Sequence, residues 1–166
     1  MGNYIIYIIK DIFTREERLQ LLEDVEPLLV DGDYLSLYHT GKRGNYYGKQ
    51  SHPTFHLHPD FKGVHDRFVD AIKQTTHLDI ETTQSWINWS DGSQDLNWHT
   101  HSSQWCAVYY LKTFPFLNGG TQFEDKFVRA PQNSLLFFPC NLKHSAPNSF
   151  VRYTRYTIAV LYDLIK

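Results

Sequence analysis

The sequence predicts a mainly β chain with N-terminal helices, an α+β arrangement whose second half is a β jelly roll. Three observations carry this. From residue 82 onward, short β-branched and aromatic runs alternate with turn signals, the pattern of a sandwich or barrel. Before that point, apolar residues recur at helical spacing behind recognisable helix starts. The length of 166 residues suits one domain with a core of its own. We therefore expect a single domain over 1–166, with helical and irregular support over 1–81 and the jelly-roll core over 82–166.

The elements follow in order. Tyr4 to Ile9 is β-branched and aromatic and predicts a strand. Thr14-Arg15-Glu16-Glu17 reads as a capping box. Leu19, Leu22, Val25, Leu28 and Leu29 then recur at helical spacing, and Gly32 is placed to end that helix. Residues 33–57, rich in Tyr, Gly and His, read as loop or short irregular strands. Pro59 can open a second helix with Phe61, Val64, Phe68, Val69 and Ile72 on one face. Strand-like runs follow at Ser85 to Trp89, Trp105 to Leu111, Thr121 to Phe123, Ser134 to Phe138 and Tyr153 to Tyr162. The turn signals between them include Ser90-Asp91-Gly92-Ser93 and Leu117-Asn118-Gly119-Gly120.

Composition excludes several classes. The formal net charge of -2 gives no electrostatic footprint for nucleic acid. No apolar run approaches the ~18 residues of a membrane helix. The start lacks a basic leader and a small-residue cleavage site, so no signal peptide is expected. Two cysteines, Cys106 and Cys140, cannot build a disulfide framework, and the default compartment is cytoplasmic. Cys140 is expected as a buried neutral thiol.

The nine histidines need explaining. His39, His52, His56, His58, His65 and His77 are read as surface or core residues without chemistry. His99-Thr100-His101 is different, because strand alternation puts both imidazoles on one face. His144 follows the apolar run ending in Pro139. In a jelly roll two distant strands can face each other, so these three histidines can offer three nitrogen ligands on one side of a metal. The competing reading is a chance H-x-H pair, with His144 in a turn. Arg155 and Thr157 alternate onto one face of the last strand. A buried Arg with a hydroxyl beside it suits a small carboxylate, held bidentately.

These residues resemble the iron(II)- and 2-oxoglutarate-dependent oxygenases with a double-stranded β-helix core, most of all the prolyl-hydroxylase-like branch. The matching pieces appear in the family's order: Trp98-His99-Thr100-His101, Val108-Tyr109-Tyr110-Leu111, Gly119-Gly120-Thr121-Gln122-Phe123, the Asn133 to Pro139 run leading to His144, and Arg155-Tyr156-Thr157. The resemblance implies iron(II) as metal, 2-oxoglutarate as cosubstrate and O2 as oxidant. It implies His99 and His144 as ligands, with Arg155, Thr157 and Tyr110 on the far carboxylate of 2-oxoglutarate. It further implies hydroxylation of a C–H group with release of succinate and carbon dioxide, on a peptide, an amino acid or another small substrate. Asn97 and Trp105 are candidates for the substrate pocket.

The departure is at position 101, where the family has Asp or Glu and this chain has His101. A three-histidine iron centre, an exogenous ligand or a nearby acid in the carboxylate's place with His101 turned away, and a degenerate site in a protein that is not an oxygenase compete. H-x-H alternation favours the first. Two other readings stand beside the oxygenase. One is a cupin-type three-histidine metalloprotein without 2-oxoglutarate, which the spacing of His144 and Asn148 allows but which leaves Arg155 without a role. The other is a non-catalytic jelly-roll binding module.

Overall fold

A computed structural model describes residues 4–30, 35–38, 48–91, 98–114, 119–146 and 153–166. The order begins β1 (Tyr7–Ile9), α1 (Arg15–Val25), β2 (Leu35–Tyr38), β3 (Gly48–Ser51), α2 (Lys62–Thr76) and β4 (Ile80–Ser90). It continues with β5 (Trp105–Lys112), β6 (Gly120–Phe123), β7 (Phe127–Arg129), β8 (Leu135–Pro139), β9 (His144–Ser145) and β10 (Arg155–Leu164). The described residues are mainly β, with two α-helices and antiparallel sheets. Among the described residues no helix is long and apolar enough to cross a membrane.

Seven strands form a large sheet in the order β1-β8-β5-β10-β4-β3-β2, and β7-β6-β9 form a small one. Alternation along the large sheet divides the core. Ile87, Tyr109, Phe137, Ile158 and Val160 face the helices and join Leu21, Val25, Phe68 and Ile72 in one cluster. Their neighbours Cys106, Tyr110, Leu136, Phe138 and Leu161 face the other way and pack with Phe123 and Ala130 of the small-sheet region. The helices thus back one face of the large sheet, and its other face is left for the site.

The capping box forms as expected. Glu17 N–H donates to Thr14 Oγ1 at 3.2 Å, and Thr14 N–H donates to Glu17 Oε2 at 2.8 Å. α1 nevertheless stops at Val25, and a 3-10 turn covers Pro27–Leu29. Pro27 has no N–H for the helical ladder. The expected stop, Gly32, lies outside the described residues. Pro59 opens a 3-10 turn, Pro59–Phe61, that leads into α2. β2 and β3, within the stretch read as loop or short irregular strand, extend the sheet beyond β4.

Cys106 and Cys140 are bonded to each other, across 34 residues of sequence. This corrects the expectation of a neutral Cys140 thiol. Cys106 lies on β5, and Cys140 directly follows the neighbouring strand β8. The cysteines therefore give no support to a reducing compartment.

α2 is pinned to β4 through His65. Its Nδ1–H donates to Phe61 O at 2.9 Å, and its Nε2 accepts from the Ser85 hydroxyl at 2.9 Å. Burial pushes the imidazole from its ordinary 6.5 down to about 4. The folded state thus holds His65 neutral where the unfolded chain protonates it. Stability from this group is full above pH 6.5 and is lost as pH falls towards 4. Between pH 7 and pH 5 its share of the loss is about 2 kcal/mol. Denaturant unfolding at the two pH values should show that His65→Gln shrinks the difference by this amount; an unchanged difference would refute the assignment.

Candidate metal centre

The site grows from the face of the large sheet turned away from the helices. Arg155 on β10 lies opposite Ser90 on β4. Two residues along, Gln50, Asn88, Thr157 and Tyr110 stand in register across β3, β4, β10 and β5. The next row is Trp86, Ala159 and Val108, and the one after it holds Leu161, Cys106 and Phe138. Directly opposed residues share a face, so this floor runs from polar at the Arg155 end to apolar at the Phe138 end.

Over it stand three imidazoles. His99 forms a two-way backbone bridge with His144, each N–H donating to the other's carbonyl at 3.0 Å. The backbone N–H of His101 donates to Cys140 O at 3.1 Å, which fixes the second half of the H-x-H. The nitrogen ligand atoms of His99, His101 and His144 lie within 4.8 Å of one another. The ring centroids of His99 lie 4.4 Å from His144 and 5.0 Å from His101. Trp86 leans on His101 at 5.6 Å and Phe138 on His144 at 4.9 Å.

His144 is buried, and its Nδ1–H donates to Leu142 O at 2.8 Å. A carbonyl only accepts, so this bond places the proton on Nδ1 and leaves Nε2 as the free lone pair. Burial lowers His144 to about 4; the nearby His99 and His101 push the same way, and the Leu142 carbonyl opposes. Burial, and then His99, lowers His101 to about 4 as well. Near neutral pH both are therefore uncharged and able to ligate. Three converging imidazoles suit a divalent ion of the iron-to-zinc series, so the donor set fits the expected metal.

The three histidines and Arg155 line one cavity of about 360 Å³. Arg155 is only 9% exposed and donates from a guanidinium nitrogen to Gly120 O at 3.3 Å. Thr157 lines the same cavity, and Asn88 Nδ2 donates to its hydroxyl at 3.4 Å. Tyr110 takes a different place. Its ring lies under the Arg155 guanidinium at 5.4 Å, and its hydroxyl shares a 2.7 Å hydrogen bond with Thr121. It is fully buried and supports Arg155 and Thr121 from below without lining the cavity.

Trp105 requires correction as a pocket residue. It precedes Cys106, which faces the cavity, so alternation turns Trp105 to the helix side. There it stacks on Phe137 at 4.6 Å. Asn97 lies outside the described residues. Gln50, Asn88, Ser90 and Thr121 line the cavity and were not singled out from sequence. The alternation of Trp86, Asn88 and Ser90 along β4 was the available signal for two of them. Gln50 had none, because its strand is short and polar.

The glycine pair is structural. Gly120 has φ +145°, and a Cβ there would lie 2.6 Å from Val128 O. One at Gly119 would lie 2.3 Å from Ala130 O. Both obstacles are backbone of the paired strand side and cannot swing away. Gly120→Ala should therefore destabilise the fold by roughly 1–3 kcal/mol, and it should weaken ligand binding at Arg155 by displacing the carbonyl that steadies it. A thermal melt matching wild type would contradict this.

No protein-family model and no curated protein sequence matches the chain. Solved structures do. The non-haem α-ketoglutarate-dependent epimerase SnoN of nogalamycin biosynthesis aligns with 95% of this chain and 76% of its own, at TM-score 0.76 and 13% identity. A prolyl hydroxylase from Trichoplax adhaerens, solved with a hypoxia inducible factor peptide, aligns with 95% of this chain and 83% of its own, at TM-score 0.72 and 16% identity. The fold is that of the iron(II)- and 2-oxoglutarate-dependent oxygenases. HygX from Streptomyces hygroscopicus, solved with nickel, 2-oxoglutarate and hygromycin B, aligns with 96% of this chain and 82% of its own, at TM-score 0.68 and 12% identity. On this oxygenase fold the chain brings together a group of three histidines able to hold a metal ion.

Proposed function

We propose that the chain is an iron(II)- and 2-oxoglutarate-dependent dioxygenase that hydroxylates a C–H group of a peptide, an amino acid or another small substrate, with release of succinate and carbon dioxide. The observation that carries this is one cavity lined by three metal-competent imidazoles and a buried arginine. Bound iron(II) would supply oxygen activation coupled to decarboxylation of the 2-oxo acid. His99, His101 and His144 would hold the ion.

Arg155 and Thr157 receive the remote carboxylate of 2-oxoglutarate, the guanidinium as a fork and the hydroxyl as a single donor. The Arg155 ring support from Tyr110 and the Gly120 carbonyl keep that fork in one orientation. The apolar end of the floor, with Trp86, Val108 and Phe138, keeps water from the reacting region. The double-stranded β-helix is the architecture we assign to the two facing sheets. Arg155 also weighs against the cupin-type alternative, which gives a guanidinium lining the metal cavity no role.

The reading is tested by turnover of 2-oxoglutarate without added substrate. Iron(II)-loaded protein in air should release succinate slowly, with no release when iron or 2-oxoglutarate is omitted. Release that persists in His99→Ala would show that the chemistry lies outside this centre.

A further inference from the structure

The Cys106–Cys140 bond serves none of the proposed chemistry, yet it is built into the supports of the three histidines. Cys106 sits on β5 and lines the metal cavity. Cys140 joins three pieces of chain. Its sulfur is bonded to Cys106. Its N–H donates to Gln104 O at 3.0 Å, and its carbonyl accepts from the His101 N–H at 3.1 Å. It also stands in the turn between β8 and β9, where the Leu142 N–H donates to Pro139 O at 3.1 Å. The Leu142 carbonyl in turn accepts from Nδ1–H of His144 at 2.8 Å. Two of the three histidines thus take their position from backbone within two residues of Cys140. A ligand set works only while its atoms keep their mutual geometry to within about 0.5 Å.

We infer that this disulfide is a redox-sensitive positioning element of the metal centre: oxidised, it fixes the backbone that aims His101 and His144, and reduced, it releases that backbone and lowers the affinity for metal. This rests on the three-histidine metal centre proposed above and adds a regulation to it. The reductant is a small dithiol acting by thiol–disulfide exchange. The dithiol gives up two electrons and two protons and its own sulfurs join in a disulfide; the Cys106–Cys140 bond breaks, and each cysteine becomes a thiol. Both cysteines are buried, and the cavity that Cys106 lines gives the dithiol its approach. A disulfide that acts only as a staple constrains the unfolded chain and leaves the metal affinity of the folded state unchanged. A positioning bond changes that affinity itself.

Cobalt(II) titration distinguishes the two roles without turnover. Metal-free protein is reduced with dithiothreitol, freed of it by desalting under nitrogen, and compared with oxidised protein that has no free thiol. Cys106→Ala/Cys140→Ala is titrated beside them, because it has no thiol to take cobalt in place of the histidines. The expected result is cobalt affinity at least tenfold weaker in the reduced protein and in the double variant, with recovery when the reduced protein is reoxidised. The gain in melting temperature on adding cobalt should shrink in both. Equal affinity in oxidised and reduced protein overturns the inference, whether or not the double variant folds. A bond that dithiothreitol leaves intact in the folded protein overturns it too. So does a reduced protein that has lost its fold, since the bond is then a general staple. Oxidised protein that binds no cobalt would instead bring down the metal centre, and the inference with it.

Discussion

Replacing Arg155 with alanine is expected to weaken 2-oxoglutarate binding by roughly 100-fold, the scale of losing a charge-assisted pair of hydrogen bonds. Metal affinity should stay within about threefold of wild type, because no ligand to the ion is touched. Arg155→Lys keeps the charge and loses the planar fork, so it should fall between the two, nearer to alanine. Calorimetry of the metal-loaded protein measures both constants. Loss of metal together with 2-oxoglutarate would mean that Arg155 holds the site's architecture. Its bond to Gly120 O and its seat over Tyr110 make that the outcome to exclude. A melting curve for the variant separates the two cases.

The second large effect concerns the ligands. His144→Ala and His99→Ala should each reduce bound iron to below about a tenth of the wild-type content, since two imidazoles alone hold a divalent ion weakly. His144→Ala also removes a ring packed against Phe138 and Phe123, so some loss of stability accompanies the loss of metal. His99 is the cleaner variant, because its backbone bridge to His144 survives truncation of the side chain. His101→Asp should keep or improve iron binding by restoring a negative ligand. If it loses iron completely, the centre is built specifically around imidazole. Metal analysis of protein purified without a histidine tag reads all of these.

Much of the fold was legible because its central strands are long and carry chemistry in alternation. Thr157 and Arg155 face one way while Tyr156 and Ile158 face the other, and this alternation marks the run as a strand. The same rule, applied to β5, turns Trp105 away from the cavity, yet aromatic character had suggested a pocket wall. β7 escaped notice because Phe127, Val128 and Arg129 are too few to show a period; pairing with Gly120 to Gln122 makes them a strand. The meeting of H-x-H with His144 was anticipated from topology, but its agent was not. A single bridge between His99 and His144, outside any regular strand at the His99 end, joins the two segments. The Cys106–Cys140 bond was hidden for a like reason. Proximity across β5 and β8 is a property of strand order, which two cysteines in a sequence do not reveal.

In the proposed enzyme one cavity holds a metal on three histidines and a 2-oxo acid between that metal and Arg155. Anaerobic titration of 2-oxoglutarate into the iron(II)-loaded protein tests it most directly. The expected result is a visible metal-to-ligand absorption band that saturates at about one 2-oxoglutarate per iron, and that requires much higher concentrations in Arg155→Ala. An iron-loaded protein that develops no band, or one whose band is indifferent to Arg155→Ala, would contradict it.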